Sequence, residues 1–145
     1  MKAATHTHFL NVDLDIFSQS DLQPLVDAFG KKVSVLFSGR VKRTHRAHLE
    51  VAKITKTADA TIRDFCTLIE TLPKTARDLW NGANQRDFNI GVQGGMTPRA
   101  SEFALSAEVL KAVHKVEARI VFMVYAPERF QKAARSKAAT GKPQI

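Results

Sequence analysis

From His8 to Phe17 the chain alternates in steps of two: Leu10, Val12, Leu14 and Ile16 fall on one side, and Asn11, Asp13 and Asp15 on the other. A β-strand turns successive side chains to opposite faces, so this stretch predicts a strand with one face buried and one in water. Ser20-Asp-Leu-Gln23 then reads as a capping box, with Ser20 as N-cap and Gln23 reaching back. Leu22, Leu25, Val26 and Phe29 recur at helical spacing, Pro24 sits in the first turn, and Gly30 ends a short helix. Val33 to Val41 predicts a second strand and Arg46 to Ile54 a third, with Lys42 to His45 in the hairpin connection between them.

Thr57 to Leu72 predicts the longest helix, because Ile62, Phe65, Cys66, Ile69 and Leu72 return every three or four positions and Pro73 closes the run. Pro73 opens a further short helix through Trp80, ended near Gly82. Phe88 to Val92 predicts a fourth strand, Gly94 to Pro98 a turn, and Glu102 to Leu105 a short fifth strand. Ser106 caps a helix carrying Val109, Leu110, Val113 and Val116. Ala118 to Ala126 is apolar almost throughout, the pattern of a central strand covered on both faces, and Pro127 ends it.

These elements predict an α+β fold: a two-layer sandwich with a mixed, mostly antiparallel sheet of about six strands and helices on one face. Residues 1–127 form one domain. The remainder, 128–145, is rich in Ala, Lys and Arg and is expected to be a flexible basic tail.

Charge changes the picture. The 145 residues carry 22 Lys and Arg against 14 Asp and Glu, a net charge of +8. The tail holds Arg129, Lys132, Arg135, Lys137 and Lys142 against Glu128 alone, hence +4 of that +8. Such a balance favours an anionic partner: nucleic acid or an acidic protein. One cysteine, Cys66, excludes an internal disulfide and a cysteine metal cluster, and it sits on a helix's apolar stripe as a buried thiol. The start lacks the apolar stretch of a secretory signal, and the longest apolar run, Ile120 to Ala126, is far below the roughly 20 residues of a membrane span. A cytoplasmic location with no membrane partner is the expectation.

Candidate chemistry gathers on the uncovered face. Asp13 and Asp15 share it, two positions apart on a strand, and two carboxylates so placed can hold a divalent metal or supply a general base. Solvation of the outer face explains the same pair, and further metal ligands are not grouped near them. His45 and His48 have a metal-like spacing but turn to opposite sides of a strand, so no metal or other cofactor is expected. Gly91-Val-Gln-Gly-Gly95 has neither Walker nor dinucleotide spacing and reads as a turn. Arg40, Lys42, Arg43, His45 and Arg46 make a basic hairpin; with His48, Glu50, Arg119 and Tyr125 they form the expected binding surface.

The strand followed by Ser20-Asp-Leu-Gln-Pro-Leu-Val-Asp-Ala-Phe-Gly30, the long middle helix and the closing Ala118-Arg-Ile-Val-Phe-Met-Val-Tyr125 resemble a group of short uncharacterised bacterial α+β proteins. Similar small proteins serve as immunity proteins beside secreted toxins. The resemblance covers residues 8–127 in order and hydrophobic pattern, and brings no catalytic motif. It implies a non-enzymatic protein that binds an acidic protein partner and neutralises a toxin by occlusion. Nuclease inhibitors of that kind tend to be acidic, and this basic chain departs from them. A nucleic-acid-binding protein using the hairpin and tail is the alternative, followed by a metal-dependent phosphodiesterase using Asp13 and Asp15.

Overall fold

The computed structural model describes residues 6–53 and 57–127. The alternating first strand, β1 (His8–Ser18), lies at the centre of a single sheet with β2 (Val33–Val41), β3 (Thr44–Val51), β4 (Gln85–Gln93) and β5 (Arg119–Tyr125). The order across the sheet is β2-β3-β1-β4-β5. Neighbours run antiparallel except β4 and β5, which are parallel. Four α-helices complete the described residues: α1 (Gln23–Phe29), α2 (Ala58–Glu70), α3 (Lys74–Asn81) and α4 (Ala107–Lys115).

Period-two alternation sorts the sheet into a dry side and a wet side. Val12, Leu14, Ile16, Ala47, Leu49, Phe88 and Ile90 are fully buried beneath the helices. Ile62, Phe65 and Ile69 of α2 bury against them, with the Phe65 and Phe88 rings 5.8 Å apart. Burying each such side chain contributes about 1.5–3 kcal/mol, more than any local helix preference, so this stripe holds α2 on the sheet. Cys66 is part of it, and burial, with help from the Glu70 carboxylate, pushes its thiol up to about 11.

Five strands stand where about six were expected. Glu102 to Leu105 is not a strand. β5 takes the place beside β4, and a parallel pair needs a crossover, so residues 94–106 are spent travelling to the start of α4. For the same reason Ala118 to Ala126 is not a central strand. β1 and β4 occupy the middle, leaving β5 at an edge with Phe122, Met123, Val124 and Tyr125 exposed. Leu10 does not point inward either. A β-bulge between Phe9 and Asn11 reverses the alternation, packing Phe9 on the core and turning Leu10 out.

The Ser20 capping box is also absent. Helix α1 begins at Gln23 with Pro24 in its first turn, and the side chain meeting the Gln23 amide is Asp21, at 2.9 Å. Gly30 ends the helix at φ 61°, a backbone state that a side chain would strain. Ser106 caps α4 as expected, accepting from the Val109 amide at 3.1 Å, while Leu110 is exposed instead of joining the stripe. Ile54 and the tail 128–145 lie outside the described residues.

One residue without a signal in the periodicity ties the far end of the fold together. Arg86 donates to the carbonyls of Trp80, Asn81 and Ala83 at the end of α3, and to Glu117 after α4. The buried Trp80 indole donates to the Val116 carbonyl at 2.9 Å, with the Arg86 guanidinium over its ring. The end of α3 is thus met by Arg86 of β4, and the end of α4 by Trp80 of α3 with Arg86 just beyond it.

Helix α4 closes in a Schellman arrangement: the Glu117 amide bonds to the His114 carbonyl and the Ala118 amide to the Val113 carbonyl. Glu117 occupies the left-handed position at φ 59°, where glycine is the favoured residue. Glu117→Gly keeps both backbone bonds and removes a side-chain clash of roughly 1 kcal/mol, so chemical denaturation should show a more stable protein by about that amount.

Candidate interaction face

The sheet face opposite the helices is built by register. β1 contributes Asn11, Asp13, Asp15 and Phe17; across it stand Arg46 and His48 on one side and Gln85, Asp87 and Asn89 on the other. Glu50 lies one step further along β3, and Arg119 and Tyr125 come from β5, opposite Asp87 and Gln93.

Two clusters divide this face. The acidic half centres on Asp13 and Glu50, which with Leu10, Asn11, Asn89, Gly91 and Tyr125 line an open depression of about 180 Å³. Asn11 Nδ2 donates to Glu50 and, at 3.4 Å, to Asp13. Partial burial raises the Asp13 carboxyl from its ordinary 3.8 to about 6, with Glu50 and Asp15 adding to the rise and His48 opposing it. Next to it Asp15 meets His48 Nδ1 at 2.7 Å and accepts from Asn89 at 3.4 Å. Asp87 is buried and held by a bidentate fork from Arg119, at 2.8 and 2.9 Å, and by Gln85.

The other half is aromatic and basic. A second bulge, between Val35 and Phe37, places Phe37 opposite His48 on the open face. The His48 ring lies 5.9 Å from both Phe17 and Phe37, and the Arg46 guanidinium sits 5.4 Å over Phe17. Arg46 Nε is buried there without a hydrogen-bond partner. Beyond this cluster the β2–β3 hairpin turns at Lys42 and Arg43, with Lys42 at φ 57°. Arg40 donates to the Lys42 carbonyl, and among the described residues Arg40, Lys42 and Arg43 have no carboxylate partner.

The expected surface is therefore gathered only in part. Arg46, His48, Glu50, Arg119 and Tyr125 share the open face with Asp13 and Asp15. Arg40 and His45 pair with each other on the opposite side of the sheet, and Lys42 and Arg43 occupy the tip. Asp13 and Asp15 do lie together, yet each is engaged by neighbours, and no group of three His, Cys, Asp or Glu among the described residues is placed to hold a metal ion. Sequence reasoning missed Phe17, Phe37, Asn89 and Asp87. Asn89 was already an outward position of the predicted strand Phe88 to Val92, and starting that strand at Gln85 would have added Asp87; the bulge that turns Phe37 out has no such mark.

Set against models of protein families, curated proteins and solved structures, the chain matches none.

The Asp13 carboxyl sets a pH dependence. Unfolded, it titrates near 3.8; folded, near 6. Between these values the native state keeps a proton that the unfolded state has released, so stability falls as pH rises through this window and stays lower above it. Allowing for the partial exposure of the group, the loss is on the order of 1–2 kcal/mol. Asp13→Asn should flatten the decline between pH 4 and 6 and leave the variant more stable than the parent at pH 7, measured by urea unfolding at each pH.

Proposed function

We propose that the chain is a non-enzymatic protein-binding protein that covers an acidic surface of its partner, as an immunity protein occludes a toxin. The observation that supports this reading is the cluster of Arg46 over Phe17, with His48 edge-on to Phe17 and tilted against Phe37, standing beside the cations of the hairpin tip. Arginine and aromatic side chains carry most of the energy in protein interfaces. Here they are already locked against one another, so binding immobilises few additional rotamers. Lys42 and Arg43, without a carboxylate partner among the described residues, would steer an acidic partner and pair with it at the rim. The acids of the other half are knit to His48, Arg119 and the Asn side chains, which limits their repulsion of that partner.

A second reading is favoured by the same rings. Phe17 and Phe37 beside Arg46 offer a stacking surface for unpaired bases, and the tip offers cations for phosphates. The outward acids of β1, Asp13 and Asp15, weigh against a phosphate backbone along the rest of the face.

Capture of the tagged chain from its native host after nuclease treatment tests both. A stoichiometric protein partner, whose purified form binds Arg46→Glu and Phe37→Glu at least about 30-fold more weakly, is the expected result. Nuclease-sensitive recovery, with affinity for single-stranded oligonucleotides that falls steeply with salt, would transfer the function to nucleic acid. Binding to neither ends both readings.

A further inference from the structure

Strand β5 carries the sequence of a covered strand in the position of an uncovered one. Its residues Phe122, Met123, Val124 and Tyr125 are 54, 43, 65 and 44% exposed, with apolar side chains on both faces. Edge strands of monomeric proteins are normally blunted by charge, proline or a bulge. From Ile120 to Tyr125 there is no charged residue and no proline, and the pairing to β4 is regular throughout. The opposite edge is interrupted: β2 also exposes Val35, Leu36 and Phe37, but a bulge falls between Val35 and Phe37, Arg40 stands within the strand, and Lys31 and Lys32 precede it.

The free backbone groups can be assigned. The Tyr125 carbonyl turns toward β4, accepting from the Gly94 amide at 2.7 Å. Alternation then turns the N–H and C=O groups of Ile120, Phe122 and Val124 to the open edge. These three are spaced symmetrically about Phe122.

We propose that β5 pairs antiparallel with β5 of a second copy of this chain, about a two-fold axis at Phe122. Phe122 exchanges both main-chain bonds with its counterpart, and Ile120 does so with Val124. A two-fold normal to the sheet keeps all helices on one side, joining the two sheets into one. Beside β5, Met96 and Phe103 line a hollow of about 380 Å³ with Phe122 and Val124, and Thr7, Arg99 and Ser101 make part of its wall polar. Taking roughly 150–250 Å² for a large side chain, the exposed apolar residues of β5 with Met96 and Phe103 offer on the order of 500 Å² per copy. The pair could bury at most about 1,000 Å² from these residues, the lower end of the size of specific interfaces, with the main-chain bonds of the paired strands added. On the strand itself charge permits the approach: its one cation, Arg119, is neutralised by Asp87, and Arg99 stands in the adjoining hollow, off the strand. A self-pairing interface closes at two copies, because the interrupted β2 edge blocks further growth.

Sedimentation velocity of the full chain over a range of concentrations provides the test. The expected species is a dimer. Val124→Pro removes an edge amide that no strand among the described residues uses, and Val124→Lys adds a charge on a side chain already in water. Both should sediment as monomers at concentrations where the parent is a dimer, with unchanged far-UV circular dichroism, while Leu110→Lys on the exposed side of α4 stays dimeric. A monomeric parent at every concentration, assembly beyond two copies, or dimers that persist in both Val124 variants would overturn the proposal.

Discussion

Strand β1 has hydrogen-bonded neighbours on both edges and different surroundings on its two faces, and that double demand fixes the remainder of the sheet. Side chains alternate with period two, so a slip of one residue would send Asp13 and Asp15 beneath α2 and lift Leu14 and Ile16 into water. Burying an unpaired carboxylate costs several kcal/mol, and losing two core aliphatics adds roughly 3–6 kcal/mol. No alternative register competes. With β1 fixed, β3 must set Arg46 beside Phe17 and His48 beside Asp15, and β4 must set Asp87 and Asn89 on the same side. The open face is thus a consequence of the core.

That face is held differently from the core beneath it. Its ion pairs are partly in water, where a pair contributes little to stability. Their effect is geometric: Asp15 orients His48, which in turn lies between Phe17 and Phe37, and the Arg119 fork fixes Asp87. Asp13 and Glu50 are the exception, two like charges brought together in a half-buried hollow. Local conflicts of this kind concentrate where a surface has work other than folding. Here the conflict borders the aromatic and basic group instead of lying within it.

What could be read from the residues alone follows from how far each signal reaches along the chain. β1 and α2 were legible because alternation and the Ile62-Phe65-Ile69 stripe are local patterns with one physical solution. The Ser106 cap was legible because its bond spans one turn. The acidic side of the open face followed directly from β1. Strand order has no local signal: Ile120 to Tyr125 looks the same whether it lies at the centre or the edge, and Glu102 to Leu105 fails as a strand only because β5 takes the neighbouring place. The bulges at Phe9 and Val35 shift alternation without an inserted glycine or proline, so Leu10 and Phe37 reach the open face unannounced. Arg86 is one more charge in sequence, and its role appears only when two helix ends converge on it.

The two edges of the sheet therefore have contrasting characters. One ends in a cationic hairpin beside the Phe17, His48 and Phe37 rings; the other ends in an apolar strand whose one cation, Arg119, is paired with Asp87. A chain of net charge +8 repels its own kind at distances within about 8–10 Å at ordinary salt, so copies can meet only where that charge is absent or neutralised. β5, with Arg119 held by Asp87, meets that condition, whereas the hairpin edge does not. Pairing at β5 would place the acidic halves of two open faces side by side and carry the two aromatic and basic groups to the outer ends of one sheet. Both would face the same way, so a partner with two matching sites would gain effective concentration for its second contact. The polarity of the sheet, basic at one edge and apolar at the other, would thereby link the proposed self-pairing to the proposed contact with another protein.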